Sequence, residues 1–429
     1  MLPLIFIFGM IALLAIGTPV GFSLLITGVL GLWAKGGLDI ALGVLRTAPL
    51  SAASAYELIT IPMFMLMAEF IILSGIADGL FKSATAWVGR VPGGLGVATT
   101  LAGAGFAAIS GSSTASAATL SSTTIPAMLK QGYEPKMACG IVAISGTLAM
   151  LIPPSIALVL YGIVANVSIG KLLIAGILPG IMVTFVIILT IFFLVWKNPS
   201  CAPAGRSYTW REKIITLREV GPMILLFMIV TGLIYSGIAT PTEASAMGAS
   251  GALVLAMRAQ KITVSSTLVA LKRAAHTTCM ILMIILGAQV FGYFITLTQV
   301  TQNLVAWVST LAVPGLAVIV VLLLIKMLLG SIMDQAAIII LAVPIVLPVV
   351  ISLGYDPIWF GVIMIVTAEV GLVTPPIGLN AFVVARYTGR SVWDVFHGVL
   401  PHVIAHIFII AVFIIFPQTV LWLPSTMAR

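Results

Sequence analysis

Prolines recur along this chain at a fixed separation of 222 residues. Seven of the eleven prolines before residue 202 have a partner at that offset, far more than random placement would give. The pairs are Pro19/Pro241, Pro92/Pro314, Pro126/Pro348, Pro135/Pro357, Pro153/Pro375, Pro154/Pro376 and Pro179/Pro401. Because neighbouring residues also match, the chain is predicted to be a duplication. One repeat covers 1–196, a polar linker covers 197–218, and a second repeat covers 219–429.

Long apolar segments run through both repeats, for example over 172–196 and 403–416. Hydrophobic residues make up 61% of the sequence and charged residues 7%, too few to cover a water-facing surface. Since about 20 apolar residues are needed per bilayer crossing, the chain is predicted to be an all-α polytopic membrane protein. This excludes a soluble enzyme, and it excludes a nucleic-acid-binding protein despite the net charge of +8. The N-terminus lacks a basic segment and a cleavage site, so it is expected to remain as the first helix.

Each repeat is expected to cross the membrane five times and to carry one re-entrant helical hairpin. The crossings of the first repeat are placed at about 2–16, 20–33, 57–76, 138–167 and 172–195. Between the third and fourth of these, two apolar segments of about 14 residues are too short to span, so 91–129 is predicted to be a hairpin. The second repeat shows the same series, with its hairpin at 313–350. Because five is an odd number, the second repeat must be inverted relative to the first.

The distribution of basic residues tests this topology independently, since cytoplasmic loops carry an excess of lysine and arginine. With the linker in the cytoplasm, fifteen of them lie inside and four outside, and Lys326 falls within the second hairpin. The fifteen are Lys82, Arg90, Lys130, Lys136, Lys197, Arg206, Arg211, Lys213, Arg218, Arg258, Lys261, Lys272, Arg273, Arg386 and Arg390. The four are Lys35, Arg46, Lys171 and Arg429. Both termini are then periplasmic, and topology accounts for the net charge without an acidic partner.

Two helix interruptions in each repeat are predicted to place polar groups at the membrane centre. In the first repeat they are the hairpin tip at 110–114 and the Pro-Pro break at 145–155; in the second they are the tip at 330–335 and the break at 367–376. Broken helices leave N–H groups that suit anions and C=O groups that suit cations. Hydroxyls, Asp334 and freed carbonyls of one tip and one break could supply an oxygen cage for Na⁺ in each repeat. Inverted repeats with such breaks are typical of secondary transporters.

Each of these features also has a structural explanation. The small residues of 110–114 can serve close helix packing, and the Pro-Pro pairs can be simple kinks. A carboxylate near the bilayer centre costs roughly 2.5–3.5 kcal/mol on insertion scales unless it has a partner. Lys326, eight residues before Asp334 on the same hairpin arm, is the structural alternative for that partner. Glu369 could likewise cap a helix or pair with a basic group.

Two histidines have the spacing of a metal site. His402 and His406 lie four residues apart, but no acidic or cysteine ligand is near them in the sequence, which favours a helix at the membrane interface. No nucleotide-binding or hydrolase motif is present, so no catalytic residue is assigned.

Four segments carry a family signature: SGSSTASAATLSSTTIPAML at the first tip, LIPPS and VTPPIGLN at the two breaks, and GIATPTEASAMGASGAL at the start of the second repeat. Together they resemble the large membrane subunit of tripartite ATP-independent periplasmic (TRAP) transporters, over essentially the whole chain. The resemblance implies an ion-transporter-like fold that works as an elevator and couples to Na⁺. It also implies two partners, a small four-helix membrane subunit and a soluble periplasmic protein that delivers an organic acid. The sequence as a whole looks most similar to sialic-acid members of the family. N-acetylneuraminate is therefore the predicted substrate, with C4-dicarboxylates or other sugar acids as alternatives.

The resemblance further implies which residues form the sites. Na⁺ is expected to bind at the tips and breaks, at Ser110, Ser112, Ser113, Thr114, Gly146, Ile152, Pro153, Gly330, Met333, Asp334, Thr367, Thr374 and Pro375. The substrate is expected to contact Ser112, Ser113, Pro154, Ser155, Pro376 and Asn380. No cofactor is expected besides the coupling ion. The chain begins where large subunits begin, so the small subunit is expected to be a separate chain or to have been cut away.

The resulting prediction is a Na⁺-coupled importer subunit of the bacterial inner membrane. The two hairpins and two broken helices would form the moving unit, and the first helices of each repeat would form a stator with the amphipathic stretches 36–50 and 259–275. Three alternatives stay open: an antiporter that exports, a one-chain proton-coupled carrier that uses Asp334 and Glu369, and an intramembrane enzyme, for which no nucleophile–base pair is visible.

Overall fold

A computed structural model describes residues 2–259 and 262–427 of the chain. Lys261 and Arg429 of the charge pattern, and residues 260–261 of the predicted amphipathic stretch, lie outside the described residues. The described residues form helices connected by turns, with no strand among them. The predicted all-α fold is therefore confirmed.

The helices are numbered along the chain. The first half contains α1 (Leu2–Ala15), α2 (Val20–Gly36), α3 (Leu38–Ser54), α4 (Thr60–Ser74), α5 (Ile76–Val88), α6 (Gly94–Ser110), α7 (Ser113–Thr123), α8 (Ile125–Lys130), α9 (Pro135–Thr147), α10 (Ile156–Ala165) and α11 (Ile169–Lys197). The second half contains α12 (Trp210–Tyr235), α13 (Pro241–Arg258), α14 (Val264–Leu297), α15 (Val300–Thr310), α16 (Gly315–Gly330), α17 (Gln335–Ser352), α18 (Pro357–Gly371), α19 (Leu379–Thr388), α20 (Val392–Ile415) and α21 (Gln418–Ser425). Short 3-10 helices occupy Tyr56–Ile59, Leu148–Met150 and Pro199–Cys201.

Six helical segments of the described chain are long and apolar enough to cross a membrane. They are Tyr56–Ser74, Ile169–Lys197, Trp210–Tyr235, Val264–Leu297, Gln335–Ser352 and Val392–Ile415. Seven shorter apolar helices accompany them, among them both arms of the first broken helix. The protein is thus a multi-pass membrane protein.

Helix starts recur at the offset found in the sequence. Helices α7 and α17 begin at Ser113 and Gln335, and α9 and α18 begin at Pro135 and Pro357, both 222 residues apart. One element differs, because α14 is a single helix of 34 residues where the first repeat has α3 and α4 separated at Ala55. The amphipathic stretch predicted at 259–275 is therefore continuous with the following crossing. The opposite orientation of the repeats in a membrane stays a prediction.

The two halves contact each other reciprocally. Helix α2 of the first repeat packs along α14 of the second. Helix α13, the counterpart of α2 in the second repeat, packs along α4 of the first. The backbones approach closely at Gly28, where an added Cβ would lie 2.8 Å from the backbone nitrogen of Phe291, so only glycine fits there. In the same manner α10 packs on α17 and α19 packs on α7. Each hairpin therefore lies against the broken helix of the other repeat.

Two predicted boundaries shift in the structure. Helix α12 begins at Trp210, inside the predicted linker, because Thr209 and Glu212 form a reciprocal N-terminal capping box. The second arm of the second hairpin, α17, has 18 residues, more than the 14 predicted for a re-entrant arm, whereas α7 in the first hairpin has 11. Length alone does not distinguish a re-entrant α17 from a spanning helix, so the second hairpin stays a prediction.

Cysteine labelling tests the membrane topology directly. Ser207 and Gly37 are both exposed in the structure, so a cysteine at either position is reachable where water has access. In intact cells we expect a cysteine at Gly37 to react with an impermeant maleimide and one at Ser207 to react only after permeabilisation. The reverse pattern would overturn the cytoplasmic placement of the linker, and labelling of both cysteines from the same side would overturn the five-crossing repeat and its inversion.

Candidate functional site

The first hairpin tip is a tight turn held by its own hydroxyl groups. Helix α6 ends at Ser110, Gly111 adopts a φ of +55°, and Ser112 precedes α7. The Ser110 hydroxyl lies 2.7 Å from that of Ser116 and donates to the carbonyl of Ser112 at 3.2 Å. The N-terminus of α7 thus starts at the tip, where its positive end suits an anion, while the carbonyl end of α6 suits a cation.

The first broken helix runs directly beneath this tip. Helix α9 passes α7 so closely that an added Cβ on Gly146 would lie 2.8 Å from the Cβ of Ala117. After the break, Ser155 caps α10 by accepting the N–H of Leu158 at 3.3 Å and donates to the carbonyl of Met150. Pro153, Pro154 and Ser155 are all buried in this arrangement.

The second tip and break are joined by a backbone hydrogen bond. Gly378 donates its N–H to the carbonyl of Ser331 at 2.9 Å, which ties the loop after α18 to the end of α16. Unlike their counterparts in the first repeat, Pro375 and Pro376 are exposed. The two repeats thus have matching elements in unlike environments.

Asn380 connects the repeats at the first tip. Its side-chain nitrogen donates to the Ser113 hydroxyl at 2.6 Å and to the Ala143 carbonyl at 3.3 Å, and its side chain is fully buried. The first residue of α7 is therefore held by α19 of the other repeat.

A cavity of about 560 Å³ lies between the two tips. Its walls come from the tips, from the start of α10, from the start of α2 and from the middle of α14. The lining residues are Pro19, Val20, Gly21, Phe22, Gly111, Ser112, Thr114, Met150, Ile156, Ala157, Leu160, Thr277, Met280, Ile281, Met283, Ile284, Asp334, Gln335 and Ala336. A volume of this size can enclose a small organic molecule.

The structure brings only some of the predicted site residues to this cavity. Ser112, Thr114 and Asp334 line it. The other predicted residues do not line it: Ser110, Ser113, Gly146, Ile152, Pro153, Pro154, Ser155, Gly330, Met333, Thr367, Thr374, Pro375, Pro376 and Asn380. Among them, the Thr367 and Thr374 hydroxyls donate to carbonyls of α18, at Ile363 and Val370, 2.8 and 2.9 Å away.

Asp334 caps α17 and remains accessible from the cavity. One carboxylate oxygen accepts the N–H of Ala336 at 3.0 Å, and the side chain is exposed on the cavity side. The carboxylate therefore offsets the positive end of α17, which would otherwise repel a cation. Of the two tips, only the second carries a formal negative charge.

Lys326 does not face Asp334 in the structure. Its side chain is 4% exposed, its Nζ makes no hydrogen bond, and α16 packs against α18, on which Glu369 is fully buried. The sequence-based alternative, a Lys326–Asp334 pair, is therefore wrong, because successive turns of α16 carry Lys326 to the side that packs against α18.

The two histidines are also placed differently from the prediction. His402 and His406 are fully buried on α20 rather than at a membrane interface, and His406 Nε2 lies 3.9 Å from Glu369 Oε2. Lys326, Glu369 and His406 are thus buried titratable side chains on three helices, and the measured contact among them is the one between His406 and Glu369. Among the described residues, no group of three or more His, Cys, Asp or Glu side chains is arranged to hold a metal.

Sequence reasoning missed two components of the cavity. The apolar wall formed by Phe22, Met280 and Met283 has no sequence signal, because apolar residues occur on every face of a membrane helix. Gln335 was also missed, although its position next to Asp334 at a helix start was a usable signal.

The comparisons with known proteins agree with this geometry. Residues 7–419 match the family described as the tripartite ATP-independent periplasmic transporter, DctM component. The chain belongs to this TRAP transporter family. It is a transporter subunit of the large-permease type, as the resemblance implied.

Individual relatives cover nearly the whole TRAP large subunit. The C4-dicarboxylate TRAP transporter large permease protein DctM of Pseudomonas aeruginosa is 34% identical over 400 residues, 91% of this chain and 93% of that protein. The sialic acid TRAP transporter large permease protein SiaM of Vibrio cholerae is 32% identical, covering 98% of this chain and 97% of that protein. Among solved structures, the Alcanivorax borkumensis YdaH transporter has a TM-score of 0.66 at 16% identity, covering 91% of each chain, and so shares the fold alone.

Proposed function

We propose that this TRAP large subunit imports an organic acid together with Na⁺, after a periplasmic binding protein has delivered the acid. The observation that carries the proposal is the cavity between the two hairpin tips. There the N-terminus of α7 offers its positive end to an anion, while the carbonyl end of α6 and the Asp334 carboxylate, which offsets the positive end of α17, suit a cation. A site that holds anion and cation side by side is what symport of an acid with Na⁺ requires.

An elevator movement fits the division of the cavity wall. One side belongs to the tips and to α10, the predicted moving unit, and the other belongs to α2 and α14, the predicted stator. Movement of one unit against the other would carry the bound solutes across while the tips keep their geometry. The small membrane subunit would pack on the stator, in the bacterial inner membrane with both termini of this chain periplasmic.

The identity of the acid is a separate question. Relatives are named for C4-dicarboxylates and for sialic acid at closely similar identities, so N-acetylneuraminate stays a prediction alongside the other acids.

Uptake into proteoliposomes tests the function. The purified subunit and its small membrane partner are reconstituted with an inward Na⁺ gradient, a radiolabelled organic acid and the binding protein outside. We expect uptake to require both Na⁺ and the binding protein, because the described chain has no soluble domain to capture dilute substrate. Strong uptake without the binding protein would favour a one-chain carrier, and uptake driven by a pH gradient without Na⁺ would favour proton coupling.

A further inference from the structure

A second cavity, of about 550 Å³, opens where α5, α8 and the linker after α11 meet. Three cationic side chains line it: Lys82 of α5, Lys130 at the end of α8, and Arg206 of the linker. All three are exposed, and none of the lining residues is acidic. The distribution of basic residues places all three on the cytoplasmic side. We call this cavity the basic pocket; it is separate from the cavity between the hairpin tips.

The linker is fastened to the base of the first hairpin at this pocket. Gly205 donates its backbone N–H to the carbonyl of the residue that follows α5, at 3.0 Å, and the Gln131 side chain donates to the carbonyl of Pro203 at 2.7 Å. The Arg206 guanidinium carbon lies 4.4 Å from the centre of the Tyr208 ring, a cation–π contact that restricts where the guanidinium points. Three separate segments thus bring their cationic groups together through specific contacts.

The basic pocket keeps an excess of positive charge after its ion pairs are counted. Arg206 lies 2.8 Å from Glu212, and Lys82 lies 3.5 Å from Glu219. Both pairs are largely exposed, and such pairs are weak because water and salt screen them, so an anion in the pocket can compete for either cation. Lys130 is in no ion pair among the described side chains. The pocket therefore favours an anionic ligand.

Two tryptophans place the basic pocket at the level of lipid headgroups. Trp87 lies on α5 between Thr85 and Gly89, which line the pocket, and it meets Trp210 edge to face with the ring centres 6.2 Å apart. Both rings are exposed, and Trp210 begins a membrane-spanning segment that continues with exposed apolar side chains such as Ile214. Tryptophan is enriched where a bilayer meets water. The pocket therefore lies beside phospholipid headgroups, with apolar surface next to it.

We propose that the basic pocket binds the headgroup of an anionic glycerophospholipid. Lys130 and Lys82 contact the phosphate as point charges, and Arg206 can donate two parallel N–H groups to it. The acyl chains extend along the exposed apolar side chains at the start of α12, which a soluble phosphate compound would leave uncovered. Bound in this way, the lipid joins α5, the base of the first hairpin and the linker to the second repeat. This inference goes beyond the proposed function, since it holds for any transported acid.

Lipid binding to the purified, delipidated protein tests the proposal. Native mass spectrometry follows a titration with phosphatidylglycerol or with phosphatidylcholine of the same acyl chains, in which choline neutralises the phosphate. We expect phosphatidylglycerol to bind with a Kd lower by about fivefold or more, and its binding to weaken as salt is added. Equal Kd values for the two lipids would overturn the proposal.

A soluble competitor separates a lipid site from a site for free phosphate compounds. Glycerol 3-phosphate carries the same phosphate without acyl chains, so at millimolar concentration it should leave most of the phosphatidylglycerol bound. Complete displacement of the lipid by millimolar glycerol 3-phosphate would show that the pocket takes a soluble phosphate compound, and it would contradict the lipid assignment.

Charge variants locate the binding in the pocket. Lys130→Gln/Arg206→Gln removes two lining charges and is expected to weaken phosphatidylglycerol binding by about tenfold. Lys272→Gln/Arg390→Gln is the matched control, because it removes the same two residue types from exposed positions outside the pocket. Lys130→Arg/Arg206→Lys keeps both charges and should retain most of the affinity. Equal losses in the pocket and control variants, or an equal loss in the charge-retaining variant, would each refute the assignment.

Discussion

Replacing Asp334 by asparagine is expected to raise the Na⁺ concentration for half-maximal uptake by about tenfold or more, equivalent to roughly 1.4 kcal/mol of binding free energy per tenfold. Asparagine keeps an oxygen that can accept the Ala336 N–H, so α17 should remain capped and the fold intact. It removes the only formal negative charge of the cavity wall, which we assign to Na⁺. Uptake into proteoliposomes, measured at increasing Na⁺ concentrations, gives the Na⁺ concentration for half-maximal uptake.

Ser112→Ala is the matched change at the first tip. It removes a hydroxyl at the position that corresponds to Asp334 in the repeat, but no charge is lost. We therefore expect a smaller shift in Na⁺ dependence than for Asp334→Asn. Unchanged Na⁺ dependence in Asp334→Asn would show that the carboxylate serves only to cap α17, since Lys326 Nζ makes no hydrogen bond to it.

A coupling role for Asp334 is consistent with the energetics of anion import. An inside-negative potential opposes entry of an anion by about 2.3 kcal/mol per charge per 100 mV. Two Na⁺ ions moving with a monoanion carry net positive charge inward, so the potential then assists uptake. A substrate with one carboxylate therefore needs fewer coupled ions than a dicarboxylate does for the same driving force.

Replacing Lys326 by methionine is expected to leave the protein at least as stable, because Lys326 Nζ is buried without a hydrogen-bond partner and methionine fills a similar volume without that polar group. The double variant Lys326→Met/Glu369→Gln should differ little from Lys326→Met, since neither Glu369 carboxylate oxygen has a hydrogen-bond partner either. Thermal unfolding of the detergent-solubilised protein, followed by size-exclusion chromatography with fluorescence detection, measures the midpoint for each variant.

Lys272→Met is the control for loss of a lysine as such, since Lys272 is exposed on α14. We expect its unfolding midpoint to stay close to that of the unaltered protein. A Lys326→Met protein much less stable than the Lys272→Met protein would mean that Lys326 and Glu369 are charged and paired in the folded state.

The two hairpin tips differ in their surroundings although they occupy equivalent positions in the sequence repeat. The Ser113 hydroxyl accepts a hydrogen bond from Asn380, whereas the Gln335 side-chain amide has no hydrogen-bond partner in the protein. Pro153 and Pro154 are buried, whereas Pro375 and Pro376 are exposed. A duplicated scaffold thus supplies two half-sites, and divergence has given the charge and the free amide to the second one.

Much of the architecture could be predicted because it depends on local chemistry. Paired prolines and runs of small polar residues disfavour continuous helix, so both tips and both breaks were located from the sequence and lie where helices end and begin in the structure, although single prolines such as Pro179 are accommodated inside helices. Asp334 was identified because a carboxylate is rare in a long apolar segment. The helix starts at Ser113 and Gln335 keep the 222-residue offset for the same reason, since equivalent residues form equivalent turns.

The contacts between helices were decided only by the tertiary structure. Lys326, Glu369 and His406 lie on α16, α18 and α20, and no sequence spacing relates them; their burial together corrected two sequence-based expectations. The apolar cavity wall that Phe22 and Met283 help to form likewise could not be predicted from the sequence. In a soluble protein a buried face differs in polarity from an exposed one, but a membrane helix is apolar on the side facing lipid as well as on the side facing protein. The sequence therefore determined where the helices break, and packing alone determined which side chains meet at the cavity.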